Sequence, residues 1–445
     1  GIVDSAGLGD PVGLGARRNY WALFLQDDFK VNSRLTLNLG MRWEYQPPFY
    51  EVAGRLSNWN PDKIDPVSKL PGAYDFAGTC DVCTGKRSFG SRTLKNFGPR
   101  LGLAFRVTPK WVLRGAYGIM YEGDNPNAWN PNILGKPLSV AWGGTYRLSS
   151  DPVNPWAGIF NWDGGFPSGR YDPPSFDVSW GNRSRPGMID PAYGQTPYVQ
   201  TWNLNIQREI TSKLIVDIGY IGTKGTRLKA SELNRLNQLP YEAMARFGAG
   251  LNNSVTSEQD AIRNGIRYPF AGFRGTVASA LRPYPQVQGN QTVNVWGSPL
   301  GFSTYHALQI TFDQQLSHGF NLYGNYVWSK NLANVESSLI DGNSGPLDFY
   351  NLRLEKAVTS WDRPQMFKLY SSYQLPVGRG KRIGSGWNRW LDAAVGGWSL
   401  SAILNYYSGT PLGFGGSFPL SGGWNGALNR ANIAPGEMKK AAFDK

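Results

Sequence analysis

Residues Leu35 to Tyr45 alternate without a break between apolar and polar side chains. Leu35, Leu37, Leu39, Met41, Trp43 and Tyr45 fall on one face of an extended chain, and Thr36, Asn38, Gly40, Arg42 and Glu44 on the other. Period two belongs to a β-strand, whose successive side chains point to opposite faces. The run of eleven residues exceeds an ordinary globular strand of about five or six and matches the ~9–11 that cross a bilayer at a tilt.

The same alternation recurs over 21–29, 97–107, 111–121, 202–210, 214–220, 308–312, 320–328, 367–375 and 398–406, which predicts ten strands. They fall into five pairs. Four pairs are joined by short turns, at 31–34, 108–110, 211–213 and 317–319, and the fifth by a basic segment, 376–397. Long loops rich in Pro and Gly separate the pairs, at about 47–95, 123–198, 224–303 and 331–362. Short helices are expected near 241–247 and 387–394. Short connections at one end and long ones at the other are the pattern of outer-membrane barrels, with turns toward the periplasm and loops outside.

Composition agrees. Charged residues are 17% of the chain, against about 25% in soluble domains. Aromatics reach 13%, and Gly is 55 of 445 residues. Disorder and a coiled coil do not fit these values, and no apolar run approaches the ~18 residues of a spanning helix. A soluble sandwich also alternates. Three features favour a membrane barrel instead: strand length, loops on one side, and aromatics near the ends of the apolar faces. Those girdle candidates are Trp21, Trp43, Trp111, Tyr121, Trp202, Tyr220, Trp328 and Tyr406. The expected fold is all-β, a transmembrane antiparallel β-barrel. Ten strands with two open edges would strand roughly ten backbone groups in lipid, at several kcal/mol each, so either the ten close on themselves or further strands complete the sheet.

Several stretches resemble one family. Tyr20–Pro48 (YWALFLQDDFKVNSRLTLNLGMRWEYQPP), Asn96–Glu122 (NFGPRLGLAFRVTPKWVLRGAYGIMYE) and Pro197–Leu228 (PYVQTWNLNIQREITSKLIVDIGYIGTKGTRL) are similar to hairpins of the Oar-like TonB-dependent transporters of the outer membrane. So are Tyr305–Leu332 (YHALQITFDQQLSHGFNLYGNYVWSKNL) and two stretches within Asp362–Leu412. The resemblance covers all five strand pairs in order. It implies a barrel of about 22 strands around a plug. It also implies an N-terminal carboxypeptidase-regulatory-like domain and a coupling segment that contacts the TonB complex. On that expectation residues 1–445 are one partial barrel domain, with the plug, the N-terminal domain and the last strands lying outside this sequence.

Candidate chemistry is sparse. Cys80 and Cys83 form a C-x-x-C. Redox catalysis expects a thioredoxin-like context and zinc needs four ligands, so a small structural disulfide at an oxidising surface fits better. His306, on an apolar face, and His318, in a turn, have no partners at metal spacing. No nucleophile, zincin or phosphate-loop motif occurs, and Gly378–Arg382 reads as a basic turn facing lipid headgroups. Neither an enzyme nor a cofactor is expected. Arg42, Arg100, Arg106, Arg114 and Lys368 on wet faces would point into the lumen, to guide an anionic solute or to pair with the plug or with acids such as Asp28, Glu44 and Asp217. Pairing is favoured. The net charge of +13 is scattered and suits outer-membrane lipid and lipopolysaccharide rather than nucleic acid. Loops at 124–132 and 160–177 are rich in Trp, Asn, Gly and Pro and suit carbohydrate or protein contacts. TonB-dependent transport is therefore the expected function. A surface scaffold or adhesion protein is the alternative, and a hydrolase is weakest.

Overall fold

The computed structural model describes residues 5–9, 15–123, 138–142, 145–149, 163, 175–182, 186–230, 233–287, 292–317, 319–335, 346 and 348–412. Ten long strands stand where the alternation places them: β1 Trp21–Lys30, β2 Leu35–Tyr45, β3 Asn96–Thr108, β4 Trp111–Tyr121, β5 Tyr198–Thr211, β6 Leu214–Leu228, β7 Gly301–Ser317, β8 Phe320–Ala333, β9 Gln365–Gln374 and β10 Ser399–Tyr407. Each pairs antiparallel with its neighbours in sequence, giving one meandering sheet from β1 to β10. Three short connections are closed by a side chain that accepts backbone N–H groups. Asn32 Oδ1 accepts from Arg34 N (2.8 Å) and Leu35 N (3.0 Å), Thr108 Oγ1 from Lys110 N (3.3 Å), and Thr211 Oγ1 from Lys213 N (3.3 Å). Such local bonds favour a turn over continued strand.

The apolar stripes face outward, uncovered. Leu25 is 77% exposed, Leu400 63% and Ile206 42%. Among the described residues no second sheet packs on them, so this is not one half of a sandwich. Aqueous proteins rarely expose so continuous an apolar surface, whereas lipid tails match it. Two outward aromatics lie flat over a glycine on the next strand. A Cβ at Gly222 would sit 2.2 Å from the Trp202 ring, and one at Gly324 would sit 2.2 Å from Phe312. The rings thereby fill a gap that the glycine side leaves in the lipid-facing wall.

Strands β5 to β8 run past the apolar stretch at the loop end. β6 continues to Leu228 and β7 starts at Gly301, inside segments that read as loop from sequence. Their outward side chains there mix polar Gln200, Lys224, Thr304 and Lys330 with Tyr198, Phe302 and Leu332, so the apolar rhythm breaks before the ladder does. Among the described residues β1 and β10 have one long-strand partner each, and the sheet is open at both edges.

The hydrophobic core lies elsewhere, in the long loops. Residues 57–64 and 71–76 form a hairpin, and Gly187–Ile189, Val293–Trp296 and Arg235–Leu236 form a three-stranded sheet that joins two different loops. Helices α1 (Tyr241–Phe247), α2 (Glu258–Arg263) and α3 (Val277–Ala280) surround a further core of Leu251, Val255, Phe273 and Val277. Helix α4 (Arg389–Val395) lies at the opposite end, between β9 and β10.

An arginine placed at Ile206 should destabilise the fold by about 2–4 kcal/mol in a bilayer, the usual penalty near the midplane. The same change at Gln207, on the other face and in register with Asp217, should cost far less. Denaturant titration of protein folded into vesicles compares the two; equal penalties would contradict a lipid-facing stripe.

Candidate functional site

Two surfaces present themselves to a solute: the inner wall of the sheet and the cap built by the loops. On the wall, alternation and register together set which side chains meet. Arg42 donates to Glu44 Oε1 at 2.5 Å and to Tyr20 Oη at 2.8 Å, and Glu44 is buried. Residues two apart on a strand share a face, which lets this pair form. Arg100 is in register with Gly40 and Gly118, and Arg114 with Ala104 and Asn205, so each long side chain has at least one small neighbour beside it. Arg106 donates to Ser33 O at 2.7 Å and closes the first short turn. Asp217 and Lys368 share one lateral row, separated by Thr311 and Asn325, which are themselves hydrogen bonded at 2.9 Å. The Lys368 ammonium lies 6.0 Å from the centre of the Tyr407 ring.

The girdle candidates sort by height. Trp21, Trp43, Tyr121, Trp202, Trp328 and Tyr406 stand toward the loop end of their strands, Tyr220 stands near the middle of β6, and Trp111 stands at the turn end, where the Arg208 guanidinium covers its ring at 4.7 Å. His306 belongs to the upper belt. It stacks on Tyr220, whose hydroxyl is 2.8 Å from Nδ1, and its ring centre is 6.0 Å from that of Trp202. His318 lies outside the described residues, as do 124–132 and most of 160–177. Cys80 and Cys83 form a disulfide in the first loop. Among the described residues no cluster of His, Cys, Asp or Glu could hold a metal ion.

The cap was not foreseen from the sequence. Trp59, Tyr74 and Phe76 of the first loop pack against Val140, Trp180 and Met188 of the second and Val287, Val293 and Val295 of the third. Polar side chains lock the loops together. Asn58 Oδ1 accepts from Ile189 N (2.6 Å), Gln286 Nε2 donates to Pro71 O (2.6 Å), and Asp190 accepts from Ser298 Oγ (2.6 Å). The fourth loop joins where Gln238 Nε2 donates to Asp348 Oδ1 (2.8 Å). Buried Asp65 accepts from Ser68 and Asn182 (2.8 Å) and from the Ser179 hydroxyl, bridging the first two loops. Trp59 had no periodic pattern around it to mark it as core, and its partners from the other loops lie more than eighty residues away.

Burial works to raise the Asp65 carboxyl, but the bonds from Ser179, Ser68 and Asn182 outweigh it and hold the group below the usual carboxylate range. Glu51 is likewise lowered: its burial is overcome by N–H groups of Arg55, Gly15 and Ala53 and by the Arg55 guanidinium. A depressed folded-state value stabilises above the unfolded value and loses that contribution as pH falls through the folded one. The cap should therefore loosen below about pH 4 while the strands persist. Hydrogen exchange across 57–76 and 178–189 reports it, and Asp65→Asn should flatten the pH dependence. Exchange in the cap that does not change with acid would refute this account.

Comparison with known proteins gives one family. The model of the outer membrane beta barrel domain matches residues 1–444. No curated protein matches the chain. Among solved structures the chain is similar to the alcaligin outer membrane receptor FauA of Bordetella pertussis, at 10% identity and a TM-score of 0.32, over 88% of this chain and 38% of that one. It is also similar to the siderophore receptor PiuA of Acinetobacter baumannii, at 12% identity and 0.32, over 80% and 31%. The outer membrane transporter YddB of Escherichia coli matches at 11% identity and 0.33, over 80% and 40%. The chain thus spans under half the length of each of these. With a family match over nearly its whole length, the chain belongs to the outer membrane beta barrel domain family, and its place is the outer membrane.

Proposed function

We propose that this chain is the wall and outer cap of a TonB-dependent transporter of the Oar-like type. Further strands would complete the sheet, and a plug would fill the lumen. The observation that carries the reading is the pairing of a charged inner wall with a cap whose core is shared by separate loops. A porin-like pore needs no such roof. A device that captures a scarce solute and admits it on demand does, because a preformed binding surface loses less entropy on capture. The open edges at β1 and β10 support the completing strands, since unpaired backbone in lipid costs several kcal/mol per group. The similarity of the five strand pairs to that family supports the subtype. In this role Arg42, Arg100, Arg114, Asp217 and Lys368 face plug or solute, and the TonB complex reaches the plug from the periplasm.

A second reading is favoured by the cap alone. A roof held by its own core also suits a display surface for matrix or partner proteins. Deleting the gene and deleting tonB in the same host separates the two. Transport predicts one shared growth defect on a limiting nutrient, with surface binding kept in the tonB strain. An attachment defect in the gene deletion that the tonB deletion does not reproduce would replace transport with display.

A further inference from the structure

On the outward side of β4 and β5, at the loop end, the wall is indented by a groove of about 560 Å³. Its floor is Tyr121, Tyr198 and Gln200, which share the lipid-facing side with Trp202 and Leu204 two and four positions on. Its outer lip is the segment that leads into β3. Trp43, an outward girdle residue, donates from Nε1 to Leu94 O at 2.8 Å and so fixes that lip outside the barrel. Arg92 and Lys95 project from the lip, and Arg227 from the opposite side. Arg227 sits at a register shift between Thr226 and Leu228 with φ of 57°, a left-handed conformation rare for a residue with a side chain. The bulge places its guanidinium 6.0 Å from the centre of the Tyr198 ring. None of the three cations pairs with a described carboxylate, and the lining residues include no acid. Lys224, in register with Gln200, and Lys330, in register with His306, extend the positive charge along the same outward belt.

We propose that this groove is a specific site for a phosphorylated glycolipid of the outer leaflet. The height is that of headgroups, just above Trp202, His306 and Trp328. Three cations around one recess match two sugar-borne phosphates better than a single phosphodiester, and Arg favours phosphate through its planar fork. Tyr121 and Tyr198, with ring centres 5.7 Å apart, give the recess aromatic surface for the apolar side of a sugar ring, and the volume lies within the ~300–1,000 Å³ of small-molecule sites. The site depends on membrane placement and is independent of whether the protein transports anything.

The full chain, purified from outer membranes in detergent, is titrated with lipid A, with lipid A stripped of both phosphates, with phosphatidylglycerol and with inorganic phosphate. The variant R92Q/K95Q/R227Q should bind lipid A about tenfold or more weakly, one factor of ten being a modest loss for three phosphate-facing cations. R34Q/K110Q/K213Q, at the turn end, should bind as the unaltered chain does. Stripped lipid A should bind no better than lipid A binds the first variant. Undiminished binding by that variant overturns the proposal. So does phosphatidylglycerol matching lipid A, which would mark a general anionic-surface effect, or inorganic phosphate displacing it at equal concentration. Where the triple variant does not reach the folded, heat-modifiable form, K95Q alone should weaken lipid A several-fold, and unchanged affinity there overturns the proposal equally.

Discussion

Backbone hydrogen bonding in a medium without water is the constraint on which the rest of this structure depends. In lipid an amide finds a partner in the next strand or pays several kcal/mol. The ladders from β1 to β10 answer that demand, with β6 held in register on both sides along nearly its whole length. Once register is fixed, the side-chain pattern follows. Period two sends Leu, Trp and Tyr to the tails and Arg, Asp and Lys inward. Glycines opposite Trp202 and Phe312 let rings lie flat on the wall, and small neighbours leave space beside Arg100 and Arg114.

The distribution of apolar surface is inverted relative to a water-soluble domain. The wall is oily outside and wet within, while a conventional buried core sits in the loops. Trp59, Tyr74 and Phe76 meet water-side rules: they are packed away, with polar groups around them hydrogen bonded across loop boundaries. One chain thus obeys two solvents, and the change occurs at the upper aromatic belt.

The wall was legible in sequence because its signal is local. Eleven residues from Leu35 to Tyr45 suffice to state their strand and their two faces, and helices at Tyr241–Phe247 and Arg389–Val395 lie where short amphipathic stretches stood. The Arg42–Glu44 contact was also within reach, as two residues of one face. The cap was not, because its core gathers single residues from loops far apart, and no window of sequence contains two sides of it. The upper reaches of β6 and β7 were missed for a different reason. Above the belt both faces meet water, so Lys224 and Thr304 carry no contrast for a periodic reading to detect.

A roof shared by several loops has a mechanical consequence. The loops after β2, β4, β6 and β8 are fastened to one another, so the outer ends of the strands from β2 to β9 are tied like ribs under a single beam. The opposite ends have short turns within the first four pairs, the 376–397 segment within the fifth and, between pairs, ladder bonds with single side-chain contacts such as Arg106 to Ser33 O and Arg208 over Trp111. Bending or widening of the wall is therefore stiff at the cell surface and compliant toward the periplasm, and a load applied to any one loop is shared by its neighbours before it reaches the strands.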